Sequence, residues 1–162
     1  MYDRVRPAAR VDASKAEDRL TRGQLRTLST AAIVAMVIII LAATLRPNET
    51  AETFAAATGN DICLFGVPCT VMHGVIFAPL GVAMAARYAS SDAARRSPRR
   101  VLLMMVLALW VFAAGDELVQ ERWIEGRDGE LADWAADMLG AIVGLLAGGF
   151  LLRLLFKRPQ RS

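Results

Sequence analysis

The side chains able to do chemistry in this chain crowd into one short stretch. Eight of its sixteen acidic residues lie within the twenty-two positions from Asp116 to Asp137, accompanied by Gln120 and Arg127. Asp116, Glu117, Asp133 and Asp137 offer carboxylates that can accept protons or ligate a cation. Gln120 can bond sugar or amine groups, and Arg127 can pair with a phosphate. Far upstream stands His73, the only histidine. With an unperturbed pKa of about 6.5 it could shuttle protons or pair with Asp137. Two carboxylates plus a histidine could also hold a divalent cation. No motif spacing marks such a site, so no cofactor is expected. Cys63 and Cys69 fit no zinc pattern and read either as a disulfide or as two free thiols.

These residues must be positioned by apolar elements, because the chain is 55% hydrophobic with a mean hydropathy of +0.38. Four blocks approach bilayer length: 28–45, 71–88, 101–119 and 134–156. About twenty apolar residues, rising 1.5 Å each, cross a hydrocarbon core of roughly 30 Å. A soluble helical domain would need a polar face on every block, and Leu28–Leu45 has none. The expectation is an all-α membrane protein with four transmembrane helices. A polar basic tail (1–27), a membrane domain (28–156) and a short basic tail (157–162) divide the chain.

Arginine and lysine counts set the expected orientation. The N-terminal tail, the connection from Ala89 to Arg100 and the C-terminus are basic, whereas the first connection carries only Arg46. The third connection sets Arg122 and Arg127 against six acids from Asp116 to Glu130. Both termini are therefore expected in the cytoplasm and the acidic stretch outside. The first block reads as an uncleaved anchor, since its long leading region mixes acids with bases. The net charge of +3 does not argue for nucleic acid, because the basic residues sit where anionic lipids attract them. The lipid bilayer is the expected partner, and a glycine ridge would also suit a homo-oligomer.

Helical geometry then sorts the acids. At about 100° per residue, Asp133, Asp137, Gly140 and Gly144 fall within roughly 60° of one another. Both carboxylates thus face the bundle together with the small-residue ridge Gly140, Gly144 and Gly148, whose spacing lets membrane helices approach closely. On the third block Leu109, Phe112, Ala113, Asp116 and Gln120 form one stripe, with Glu117 beside it. An antiparallel hairpin of the third and fourth helices would bring Asp116, Glu117, Gln120, Asp133 and Asp137 together, with Arg127 folding over them. Glu121, Glu125, Asp128 and Glu130 read as a solvated loop. Asp137 lies inside an apolar helix, where an unpaired carboxylate costs several kcal/mol. Asp133 is suited equally to a helix cap and to the site. Pro79 frees the Val75 carbonyl in the second helix, a kink read mainly as an aid to packing.

Glu117-x-x-Gln120, Gly126-Arg127, Asp133 and Ala136-Asp137-x-x-Gly140-x-x-x-Gly144 resemble the signature of the VanZ-like family. The stretch His73-Gly-Val-Ile-Phe77-Ala-Pro79-Leu80-Gly81 is similar to the family in its Phe-x-Pro-Leu-Gly element. His73 with Asp137 also looks like the branch that has a histidine on this helix and an aspartate on the last. That branch tends to carry an Asp-Lys pair where Cys69 and Thr70 stand here. The resemblance covers about residues 28–155. It implies a small, multi-pass inner-membrane protein of the bacterial cell envelope, in a family named for a member linked to teicoplanin resistance. No feature of the chain is specific to a glycopeptide.

Two functions are expected to compete. One is binding of an envelope lipid headgroup or a partner membrane protein by the acid, Gln and Arg cluster. The other is a membrane-embedded enzyme acting on an isoprenoid or phospholipid phosphate. Asp133 or Asp137 would then be the base, His73 the acid and Arg127 the charge stabiliser. Phosphoryl chemistry favours several cations or metals, and this cluster is acidic. Ion or proton conduction ranks below both, since only one deep carboxylate is visible.

Overall fold

The computed structural model describes residues 6–45, 67–124 and 130–155, with side chains from residue 21 onward. Among them are five α-helices: α1 (Arg6–Thr44), α2 (Cys69–Ala89), α3 (Asp92–Arg96), α4 (Pro98–Trp123) and α5 (Leu131–Leu155). No strand element occurs among the described residues. Four helical segments are long and apolar enough to cross a membrane: Thr21–Thr44, Cys69–Ala89, Pro98–Trp123 and Leu131–Leu155. The chain is an all-α, multi-pass membrane protein.

The helices are longer than the apolar blocks suggest. α1 continues N-terminally to Arg6, so most of the segment read as a polar tail is helical in backbone. Its alanines, arginines and glutamate are good helix formers, and polarity alone does not end a helix. α4 and α5 extend through the polar turns that flank their apolar cores. The basic turn between α2 and α4 contains α3, begun by Ser91, whose Oγ accepts from Ala94 N–H at 3.3 Å. Pro98 then occupies the first turn of α4, where no intrahelical donor is needed. The stretch Ala51–Ala57, whose sequence could form a short helix, lies outside the described residues.

The glycine ridge of α5, expected to face the bundle, packs on α2, which runs parallel to it. A Cβ on Gly140 would stand 1.9 Å from the Gly74 carbonyl oxygen, and one on Gly144 1.9 Å from that of Ala78. From the opposite side, a Cβ on Gly81 would stand 2.0 Å from the Ala141 oxygen. Hydrocarbon solvates leucine as well as a helix does, so close backbone approach, rather than water exclusion, selects the partner. α2 carries the complementary small residues Gly74, Ala78, Gly81 and Ala85, whereas the facing part of α4 is built from bulkier side chains. Around this pair Ile40, Phe77, Leu80, Met84, Leu109, Ala113 and Ala141 form the buried apolar core. The Phe77 and Phe112 rings lie 5.7 Å apart, joining α2 to α4. Leu103, Leu118, Leu146 and Phe150 point outward, as lipid-facing side chains must. Pro79 is also exposed and α2 runs unbroken through it, so the freed carbonyl lies away from the polar residues.

Candidate functional site

Alternating helix directions bring four helix ends to one end of the bundle. The C-termini of α1 and α4 meet the N-termini of α2 and α5. His73 sits on the second turn of α2, Asp133 and Asp137 on the first two turns of α5, and Asp116, Glu117 and Gln120 near the end of α4. All six side chains are buried; Asp137 is 0% exposed and Gln120 1%. The 3.6-residue period explains the selection, since Asp133 and Asp137, like Asp116 and Gln120, are four apart and share a face.

His73 is the hub. Its Nδ1 lies 3.1 Å from Asp137 Oδ1 and 3.7 Å from Glu117 Oε1, while Nε2 lies 3.6 Å from Asp133 Oδ2. One imidazole therefore meets carboxylates from two other helices. The pairing of His73 with Asp137 raised by the sequence is present in the structure. Asp133, which suited a cap equally well, turns its carboxylate toward the histidine, and its Oδ1 has no hydrogen bond.

Asp116 belongs to an adjoining branch. Gln120 Nε2 donates to its Oδ2 at 3.1 Å. Thr44 Oγ1, at the end of α1, lies 2.9 Å from both Asp116 Oδ1 and the Ile40 carbonyl, so its single proton serves two acceptors. Thr44 was missed in the sequence. Its one signal was a hydroxyl at the end of an otherwise apolar span, and many such threonines simply bond back to their own helix. Glu117 Oε2 accepts from the Glu130 N–H at 3.1 Å, which ties the end of α4 to the start of α5. The polar ends of these two helices thus do meet, although their apolar lengths face different partners.

Three carboxylate oxygens in the cluster are buried without a hydrogen bond: Glu117 Oε1, Asp133 Oδ1 and Asp137 Oδ2. Among the described residues His73 is the one basic side chain within 4 Å of Glu117, Asp133 or Asp137. The cluster is therefore acid-rich and under-satisfied. Buried carboxylates in that condition call for a proton, a cation or a ligand. Ligating atoms of His73, Glu117 and Asp137 all lie within 4.8 Å of one another.

No family profile, curated protein or solved structure matches this chain. The site must be read on its own geometry. Trp123 and Leu131, 75% and 78% exposed, flank it at the ends of α4 and α5. A tryptophan and a leucine projecting there beside exposed Glu121 and Glu130 suit the boundary between hydrocarbon and water. Arg127, placed over the cluster by the sequence reading, lies outside the described residues, as do Glu125 and Asp128. Cys69 is half of a disulfide and is buried one turn before His73. Cys63, the chain's other cysteine, lies outside the described residues.

Proposed function

We propose that this chain is a VanZ-like protein of the bacterial inner membrane that holds the polar headgroup of an envelope lipid at the external end of its helix bundle. Both termini would lie in the cytoplasm, as the distribution of arginine and lysine requires under the positive-inside rule. The observation carrying this reading is the convergence of His73, Glu117, Gln120, Asp133 and Asp137 from three helices at one depth, with unpartnered carboxylate oxygens among them. An intramembrane cluster of this kind is costly unless it meets something. The exposed Trp123 and Leu131 beside the cluster favour a lipid over a partner protein, because such side chains suit the headgroup boundary. Arg127 would supply the contact to a phosphate.

An enzyme acting on a lipid phosphate is the second reading, favoured by the close contact of His73 with Asp137. It is the weaker one. A transferring phosphoryl group needs positive charge around it, and the described cluster sets one histidine against its carboxylates.

The test is native mass spectrometry of the protein purified in mild detergent, with Glu117→Gln and Asp137→Asn beside the parent. Retained lipid that is lost from both variants, while membrane abundance stays normal, is the expected result. Absence of retained lipid from the parent would sink the headgroup reading. Turnover of an added lipid phosphate would replace it with the enzyme.

A further inference from the structure

His73 presents both ring nitrogens to carboxylates, and the two sides are not equivalent. Nε2 faces Asp133 Oδ2 at 3.6 Å. Nδ1 faces Asp137 Oδ1 at 3.1 Å and Glu117 Oε1 at 3.7 Å. A neutral imidazole carries one N–H and one lone pair. With the proton on Nδ1 and donated to Asp137 Oδ1, the Nε2 lone pair faces the Asp133 carboxylate; with the proton on Nε2, the Nδ1 lone pair faces two carboxylate oxygens. Acceptors so opposed repel unless a positive centre stands between them. An imidazolium would supply one charge against three carboxylates. It would still leave Glu117 Oε1 and Asp137 Oδ2 buried without a hydrogen bond.

We propose that His73 Nδ1, Glu117 Oε1 and the Asp137 carboxylate bind one divalent first-row metal ion, with Asp133 as the positioning residue for the histidine. The donor spacing suits such an ion. Metal–ligand bonds of about 2.0–2.1 Å at tetrahedral angles place donors roughly 3.3–3.4 Å apart. The separations of 3.1 and 3.7 Å from Nδ1 bracket that value. One imidazole and two carboxylates form a mixed nitrogen and oxygen set, which suits Zn²⁺ or Mn²⁺ better than Mg²⁺ or Ca²⁺.

Asp133 completes the pattern. A ligating histidine generally gives its other N–H to a carboxylate, which fixes the tautomer and the ring orientation. Independent of the acid cluster itself, Asp137 is wholly buried and its Oδ2 is unpartnered, so that side chain is built into the bundle with an unmet demand for positive charge. The Glu130 N–H holds Glu117 Oε2 and leaves Oε1 turned to the histidine. Three protein donors leave a coordination position for water or for a lipid phosphate. That last role rests on the headgroup reading; ion binding itself does not.

The full chain in detergent micelles, stripped with EDTA, is titrated separately with Zn²⁺ and Mn²⁺ by calorimetry, and its metal content is measured after desalting. The expected result is one equivalent of at least one metal per chain, with a raised melting temperature on loading. Glu117→Gln and Asp137→Asn should abolish the retained equivalent. Asp133→Asn should weaken affinity by about 10–100-fold, as expected for an outer-shell partner, and Asp92→Asn should change nothing. If Asp137→Asn fails to fold, Glu117→Gln carries the test, because its side chain lies near the helix end. The proposal is overturned if the monodisperse parent binds neither metal, or if Glu117→Gln retains the equivalent. Lipid retention is followed in the same samples. Metal bound without lipid overturns the headgroup reading alone, and lipid retained by a protein that binds no metal overturns the ion alone.

Discussion

Gly140→Ala is the most informative single change to the bundle. The added methyl carbon would stand 1.9 Å from the Gly74 carbonyl oxygen. A carbon–oxygen contact of this kind settles at about 3.3 Å or more, so α2 and α5 must part locally by roughly 1.4 Å. The obstacle is backbone, so no side-chain rotation relieves it. Gly140 is one turn from Asp137 and Gly74 is the neighbour of His73, so the same displacement stretches the 3.1 Å His73–Asp137 contact beyond hydrogen-bonding range. Overpacking typically costs about 1–3 kcal/mol, and a lost hydrogen bond to a charged group adds about 1.5–3. A loss of about 3 kcal/mol or more is expected. Gly149→Ala is the control, because a Cβ there meets nothing within 4 Å. It should lie within about 1 kcal/mol of the parent, with helix propensity slightly in its favour. Reversible denaturant unfolding in micelles, followed by circular dichroism, measures both. Equal stability of the two variants would refute the close α2–α5 packing, and with it the placement of His73 against Asp137.

Thr44→Val should cost about 1 kcal/mol in the same unfolding assay, since it removes the hydroxyl beside buried Asp116 while keeping the side-chain shape. His73→Leu should destabilise by about 3–5 kcal/mol by leaving buried carboxylates without their histidine. The double variant His73→Leu with Asp137→Leu should recover part of that loss, and a double-mutant cycle showing simple additivity would contradict direct coupling. For orientation, single cysteines at Glu121 and Ser97 in a cysteine-free background are labelled with a membrane-impermeant maleimide on spheroplasts. Glu121→Cys should react and Ser97→Cys should not; the reverse pattern would invert the proposed topology.

Much of the architecture was legible because membrane helices declare themselves by length and composition. A run such as Leu28–Leu45 has no polar face, so only hydrocarbon or a protein core can surround it. Asp133, Asp137 and the glycines of the last helix could be placed on one face, since the helical period is fixed by backbone hydrogen bonding. The acids worth attention could likewise be separated from solvated ones by depth, which is why Asp137 stood apart from Glu121 and Glu130.

Partner choice was not legible. Periodicity turns the glycine ridge toward the bundle but does not say which helix it meets. The structure gives the ridge to α2, because glycine against glycine or alanine permits backbone contact that bulkier residues on α4 forbid. The same packing decides what the acids meet. Sequence periodicity puts Asp137 on the inner face of α5, but only α2 lying parallel and close brings His73 to within 3.1 Å of it. Thr44 joins the cluster solely because α1 ends beside α4. The sequence by itself determined the spans, the helical faces and the unmet charge on them. Tertiary structure alone decided which faces touch, because small differences in side-chain volume, invisible to periodicity, control how closely two helices can lie.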